Sequence, residues 1–223
     1  VSGALIRSID TGVGTAANPS GLAQVSAWVD FPGINDTIQR AYGGDLFGNI
    51  WRFDINDLIA PAGYEAKLMA TAKDASAVVQ PITTAPEIGT WNKLPYVFVG
   101  TGQLLGDSDL SNTQRQSVYA IVDDLTSAAT ISNLRTTLKP YITKSDFTLE
   151  CSATPAVCSA NNAKGWMVDL MVSKERVNLP LTLVGVHRWQ QHPCVLRQRR
   201  QRANRSPRQN TQLQRHCGGH LCP

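Results

Sequence analysis

Residues 41–55 constrain the fold of this chain more than any other segment. A Gly48-Asn49 pair lies between two runs of alternating apolar and polar residues. This pattern predicts a β-hairpin, because the turn needs positive φ angles that both residue types tolerate. In the second strand the Trp, Phe and Ile side chains fall on one face, and Arg52 and Asp54 on the other, since side chains alternate along a strand. A Gly-Asp before the turn and a closing aromatic-x-aromatic-Asp are typical of some β-propeller blades.

Most of the chain follows the same pattern of strands and turns. Its 223 residues are 42% hydrophobic, which is enough for a substantial core. No apolar run approaches the ~20 residues of a membrane-spanning helix. No leader sequence is visible at Val1, so we expect a fragment of a longer protein. The clearest predicted strands, with one short helix near 131–139, are at residues 4–9, 22–29, 96–102, 117–122, 165–170 and 179–186.

A rough internal repeat supports an all-β architecture. The segments Tyr42-Gly-Gly-Asp45 and Trp51-Arg-Phe-Asp54 resemble residues 97–102 and 118–123, which are separated by a longer loop. Repeated strand–turn–strand units predict a propeller or another β array, because one unit cannot bury both of its faces. At ~40–45 residues per blade, residues 1–186 would form a partial β-propeller of about four antiparallel blades or fewer.

Six stretches, taken in chain order, resemble the C-terminal β-propeller domain of the PilY-type proteins, the adhesin and biogenesis factors of the type IV pilus tip. Each stretch alone is a weak propeller motif, but the ordered series is specific. The stretches are residues 3–12, 19–23, 42–54, 81–87, 98–110, and 165–169 taken with 175–177.

The resemblance implies a non-enzymatic protein of the cell surface or pilus (fimbrium) of a Gram-negative bacterium. Such a protein is exported through the periplasm and outer membrane, and acts in pilus assembly, surface attachment and twitching motility. Its expected partners are pilin and minor pilins, together with host or abiotic surface ligands. Neither an organic cofactor nor a nucleic-acid partner is expected.

The family carries a calcium loop just before the Tyr-x-Gly-Asp strand. Such loops place oxygen ligands at alternating positions, which suits a hard cation. The matching positions here include Phe31 and Gly33 and hold no carboxylate. We therefore expect an ordinary polar turn in residues 30–39. If calcium binds and modulates the protein, its ligands would come from Asp30, Asn35 and Asp36.

A second acidic loop surrounds Asp107 and Asp109. With Ser111 these residues have the 1, 3, 5 spacing of an EF-hand, but position 12 is Val118 rather than Glu. We favour a solvated loop whose side chains cap their own backbone. The alternative is a metal site in which Asp107 and Asp109 are ligands.

Cys151 and Cys158 bracket six residues. In an oxidising compartment this spacing predicts a disulfide that closes a small loop, worth roughly 2–3 kcal/mol by the chain-entropy estimate. The alternative is that the two Cys form half of a zinc site. Residues 1–186 contain no His and no further Cys to complete such a site.

A quinoprotein dehydrogenase of the PQQ type is the enzyme alternative, because its propeller has similar Gly-Asp and Trp repeats. It would ordinarily show an adjacent Cys pair and a set of metal-ligating acids, and neither is recognisable here. The four Trp residues before the tail are expected in blade cores or between blades, given their large apolar area. They are Trp28, Trp51, Trp91 and Trp166.

Residues 187–223 form a different kind of sequence. All 17 acidic residues lie at or before Glu175, whereas the tail holds eight Arg, all four His and three Cys. Three hypotheses remain: a basic arm that binds nucleic acid, a His/Cys metal site without zinc-finger spacing, or a shifted reading frame. We favour the frameshift, since Trp189 and the two Gln after it, decoded one base later, become Gly and two Asn or Ser. Resequenced DNA would test it, and such a tail is expected to be disordered.

Overall fold

Two β-sheets form the framework of the chain in the computed structural model. The structure describes residues 3–5, 7–30, 33–57, 63–126, 130–145, 148–159 and 164–183. None of the described helices is long and apolar enough to cross a bilayer. The expectations for the tail, residues 187–223, lie outside the described residues.

The first sheet is an antiparallel meander. Its strands follow one another in chain order and contain the predicted hairpin as their central pair. The hairpin register places Tyr42 opposite Arg52 and Arg40 opposite Asp54. The strands are β1 (Ser26–Trp28), β2 (Arg40–Gly44), β3 (Asn49–Asp54) and β4 (Ala66–Thr71).

The second sheet has six strands in the order β5-β6-β7-β10-β8-β9. The first four strands in this order pair with one another in antiparallel fashion, and β8 then pairs with β10 in parallel. The β8–β9 hairpin, which lies between β7 and β10 in the chain, thus extends the sheet beyond four strands. The strands are β5 (Glu87–Trp91), β6 (Leu94–Gly100), β7 (Ser117–Val122), β8 (Lys139–Thr143), β9 (Leu149–Cys151) and β10 (Gly165–Asp169).

Three short helical segments lie in the connections of the second sheet. A 3₁₀ helix, Asp107–Ser111, lies between β6 and β7. Helix α1, Leu134–Thr137, precedes β8, and the side chain of Asn133 caps it by accepting hydrogen bonds from the backbone N–H groups of residues 135 and 136. Helix α2, Pro155–Ser159, follows β9. The helix expected near residues 131–139 is therefore present but only one turn long.

The main core lies between the two sheets. Apolar side chains of the first sheet, such as Ile50 and Met69, pack with Val97, Tyr119 and Ile121 of the second. A second cluster, around Phe98, Val118 and Trp166, covers the opposite face of the six-stranded sheet. Burying apolar groups on both faces explains why the central strands β6, β7 and β10 have few polar residues.

The internal repeat is visible as a repeated close contact. Gly44 ends β2 and Gly100 ends β6, and each is covered by a branched side chain from the segment that follows its sheet. A Cβ on Gly44 would lie 2.3 Å from Cγ2 of Ile82, and one on Gly100 would lie 2.2 Å from Cγ1 of Val177. Both positions thus need glycine for close approach.

Several local predictions differ from the structure. Within the described residues, 4–9 and 179–186 contain no strand, and the strand expected at 22–29 is limited to β1. Strands β5, β8 and β9 were not predicted, because Gly, Pro and polar residues interrupt their apolar pattern. The all-β fold class is confirmed, with two sheets where up to four blades were expected.

Candidate functional site

A network of buried charged side chains connects the two sheets. The first sheet contributes Arg52 and Asp54, whose guanidinium Nε and carboxylate Oδ1 are 3.0 Å apart. The second sheet contributes Asp123, just after β7, whose Oδ1 lies 2.9 Å from an Nη of Arg52. The Tyr42 hydroxyl donates to the other oxygen of Asp123 at 2.8 Å. All four side chains are at most 4% exposed.

The alternation of β3 explains this arrangement. Arg52 and Asp54 share one strand face, and the hairpin register sets Tyr42 opposite Arg52 on that face. The same face turns toward the second sheet, where the end of β7 presents Asp123. Isolated charges would be costly at this depth, so their mutual pairing is what makes burial tolerable.

Burial and pairing shift the pKa values in this network. Burial raises the pKa of Asp54, although the Arg52 guanidinium opposes that effect. Burial and the adjacent Asp123 carboxylate raise the pKa of Tyr42, so the phenol stays neutral and donates its proton in a hydrogen bond. Burial alone would lower the pKa of Arg52, but the carboxylates of Asp123 and Asp54 raise it. Tyr42 and Arg52 are thus held in their protonated forms, the phenol neutral and the guanidinium charged.

The network also positions the loop after β7. Asp123 Oδ1 accepts a hydrogen bond from the backbone N–H of Leu125 at 2.9 Å. Both terminal nitrogens of Arg52 lie 3.3 Å from the carbonyl oxygen of Thr126. Asp124, the residue after Asp123, forms an exposed ion pair with Lys164 at 3.1 Å. The chain at the end of the second sheet is therefore held by groups from the first.

The residues expected to hold calcium do not converge in the structure. Asp30 Oδ1 accepts hydrogen bonds from Arg40 and from the indole N–H of Trp28. Asn35 Oδ1 instead accepts from the backbone N–H and the hydroxyl of Thr37. Asp36 accepts a long hydrogen bond from the N–H of Gly33, at 3.4 Å. These contacts are those of local polar turns.

As arranged, this donor set does not fit a calcium ion. Calcium takes six to eight oxygen ligands, several of them carboxylates. Here one carboxylate is paired with a guanidinium, and the other two side chains close their own turns. Among the described residues no three His, Cys, Asp or Glu side chains lie close enough to hold a metal.

The second acidic loop is also organised by hydrogen bonds. Asp109 is buried, and its carboxylate accepts from the backbone N–H groups of Leu105 and Gly106 and from the side chain of Gln103. These donors, the Leu105 N–H foremost, lower the pKa of Asp109. Asp107 is exposed. The structure therefore gives Asp109 the role of pinning the loop and does not bring Asp107 to the same point.

The remaining sequence-predicted residues occupy structural positions. Cys151 and Cys158 form a disulfide bond, with their Cα atoms 5.7 Å apart, between the end of β9 and helix α2. Trp51 and Trp166 are buried, and Trp28 packs at the edge of the main core. The side chain of Trp91 lies outside the described part of the structure.

A further ion pair fixes helix α1 to the second sheet. Both terminal nitrogens of Arg135 donate to the Asp169 carboxylate, at 2.9 and 2.7 Å, and the Ser117 hydroxyl donates to the same group. Burial alone would raise the pKa of Asp169, but these hydrogen bonds outweigh it and lower the pKa. Two parallel bonds give this contact a defined geometry.

The buried network was not predicted as a site from the sequence. The placement of Arg52 and Asp54 on one strand face was predicted, and the structure agrees. What the alternation could not show is that a second sheet covers that face and supplies Asp123 from 69 positions beyond Asp54. A charged pair inside an apolar strand is the sequence signal that could have indicated buried pairing.

Comparison with known proteins gives consistent results. The model of the PilY1 beta-propeller domain family matches residues 1–152. The type IV pilus biogenesis factor PilY1 homolog of Xylella fastidiosa is 32% identical over 161 residues, which are 70% of this chain and 12% of that protein. The crystal structure of the Pseudomonas aeruginosa PilY1 C-terminal domain matches with a TM-score of 0.60 at 20% identity, over 76% of this chain and 44% of that one.

The structural match concerns the fold, and the family match covers more than half of the sequence. The chain spans only a small part of the Xylella relative and less than half of the solved domain. Its two sheets and its repeated glycine contacts agree with a piece of a propeller. This chain belongs to the family of PilY1 β-propeller domains.

Proposed function

We propose that the chain is part of a non-enzymatic protein of the type IV pilus that supports pilus assembly, surface attachment and twitching motility. Membership of the PilY1 β-propeller family carries this proposal, and the Xylella relative is itself named as a pilus biogenesis factor. The proposed partners are pilin and minor pilins, with host or abiotic surfaces as ligands. The proposed location is the cell surface or pilus, reached through the periplasm and outer membrane.

The structure supports a scaffold role for this part of the protein. Several of its charged side chains pair internally, as Arg52 with Asp54 and Asp123 and Arg135 with Asp169 show. Rigid sheets of this kind hold the loops between them in fixed positions, and loops on a rigid scaffold commonly form binding surfaces. We therefore expect binding partners to contact the loops.

Deletion of the gene in the bacterium that encodes this chain tests the proposal. We expect loss of twitching zones, less surface pilin in sheared fractions and weaker attachment to a solid surface. Complementation with the wild-type gene should restore all three. A matched complementation with Lys144→Gln should also restore them, because Lys144 forms only an exposed ion pair with Glu150. Unchanged surface pilin and motility in the deletion strain would contradict the proposal.

A further inference from the structure

We propose that Arg40 supplies a built-in positive charge at the base of the loop between β1 and β2, so that the two ends of this loop stay together without calcium. The resemblance to the PilY-type family implies a metal-binding loop at this place, and the donor set found here does not fit one. The structure explains this disagreement. The guanidinium of Arg40 is already paired with the carboxylate of Asp30, which would be the first metal ligand of the loop. This inference holds whatever the role of the whole protein at the pilus.

The first observation is the pair formed by Asp30 and Arg40. Asp30 lies where the loop leaves β1, and Arg40 is the first residue of β2, where the loop ends. Asp30 Oδ1 is 2.8 Å from a terminal nitrogen of Arg40 and 2.5 Å from the indole nitrogen of Trp28. The Arg40 side chain is 1% exposed and that of Asp30 is 19% exposed. The carboxylate is thus neutralised from inside the protein.

The second observation is that the ends of the loop are joined without any ligand. The N–H of Asp30 donates to the side-chain oxygen of Gln39 at 2.8 Å. The backbone N–H of Gln39 donates to the carbonyl of Trp28 at 3.1 Å, beside the strand pairing of Trp28 with Arg40. A metal ion commonly draws together the ends of a binding loop, and here hydrogen bonds do so.

The third observation concerns charge. A calcium ion bound at Asp30 would lie next to a buried guanidinium, and like charges at such distances repel strongly where water is excluded. The guanidinium of an arginine is covalently attached to the chain and cannot leave the site, unlike a bound ion. Arg40 lies opposite Asp54 of β3 in the strand register, and its positive charge acts on that carboxylate as well, lowering its pKa against the effect of burial. The guanidinium of Arg40 thus supplies a permanent positive charge where a calcium ion would supply one that can be released.

Calcium titration of the complete chain by calorimetry is the first test. We expect no saturable heat at millimolar calcium, and the same thermal unfolding midpoint in calcium and in EGTA. Saturable binding that raises the midpoint, and that Asp30→Asn abolishes, would overturn the proposal. The expected result is obtained with the wild-type chain alone.

Substitution of Arg40 is the second test. Arg40→Gln should lower the unfolding midpoint by roughly 5 °C or more, because it leaves a poorly hydrated carboxylate unpaired. Lys144→Gln, which removes an exposed ion pair, should shift it little. The double variant Asp30→Asn with Arg40→Gln should be clearly less destabilised than the sum of the two single variants. Additive losses, or an Arg40→Gln midpoint equal to that of the control, would overturn the proposal.

Discussion

At the scale of single residues, the carboxylate of Asp123 links the two sheets directly. Its carboxylate accepts from Arg52 and Tyr42 of the first sheet and from the backbone of Leu125 in its own loop. Asp54 remains paired with Arg52 if Asp123 is changed, but the guanidinium then loses one of its two carboxylate partners. The charge stays buried and incompletely paired, which is costly.

Asp123→Asn should therefore lower the free energy of unfolding by about 3–5 kcal/mol. The adjacent residue offers a matched control, because Asp124 pairs with Lys164 and both side chains are exposed, at 43% and 53%. Asp124→Asn should cost about 0–1 kcal/mol. Urea unfolding followed by tryptophan fluorescence measures both. Equal losses from the two substitutions would show that Asp123 is not a structural link.

The same residues mark how far local sequence rules reach. Alternation along β3 placed Arg52 and Asp54 together, and that follows from the geometry of a strand alone. Whether their face meets water or a second sheet depends on contacts between distant segments. The partner Asp123 ends a strand whose own sequence is apolar. Nothing near position 123 indicates that its carboxylate is needed elsewhere.

At the scale of elements, the repeated glycine contact explains how each sheet meets the segment that follows it. The side chain of Ile82 packs on Gly44 at the end of β2. The connector between β4 and β5, to which Ile82 belongs, also forms backbone hydrogen bonds with residues of both sheets. The N–H of Ile82 donates to the carbonyl of Asp45, while the N–H of Gly102 donates to the carbonyl of Pro81. A side chain on Gly44 would push this connector away from both sheets.

Gly44→Ala should destabilise the protein by about 1–3 kcal/mol through overpacking against Ile82. Gly106→Ala is the control, since a Cβ there would meet nothing within 4 Å and the backbone has no positive φ. We expect a change within about 0.5 kcal/mol for the control. Thermal unfolding of the two variants compares them directly. A neutral Gly44→Ala would mean that the connector can shift without loss.

Elements with a regular pattern were predictable and interrupted ones were not. Strand β7, Ser117–Val122, was expected at these bounds because it is a short run of β-branched and aromatic residues closed by polar ones. Strand β5 contains glycine, and β8 contains Pro140. Their pairing with neighbours overrides weak local propensity, as is common in sheets.

At the scale of the whole molecule, the fold class followed from the turn and strand pattern, but the number of sheets did not. Counting residues per blade suggested up to four blades, whereas the described residues form two sheets. The second sheet uses more chain because the β8–β9 hairpin and its disulfide loop extend it. An insertion of this kind changes length without changing the repeat, so length alone does not determine the number of sheets.

The two apolar cores also bear on the composition change near residue 187. Among the described residues, which end at 183, the buried residues of both clusters lie at or before Val177, and Leu181 and Leu183 pack against the second. The Arg-rich residues that follow have no strand-like apolar alternation. Removal of residues 187–223 should therefore change the free energy of unfolding by less than about 0.5 kcal/mol.

A longer deletion, of residues 170–223, is the control because it also removes Val177, which covers Gly100 and is 3% exposed. We expect that chain to lose more than about 2 kcal/mol, since large apolar groups of the second core are lost with it. Chemical denaturation of the two truncated chains and the complete chain makes the comparison. If the shorter deletion destabilised the protein as much as the longer one, residues 187–223 would have to contribute to the fold, and the frameshift hypothesis would fail with that result.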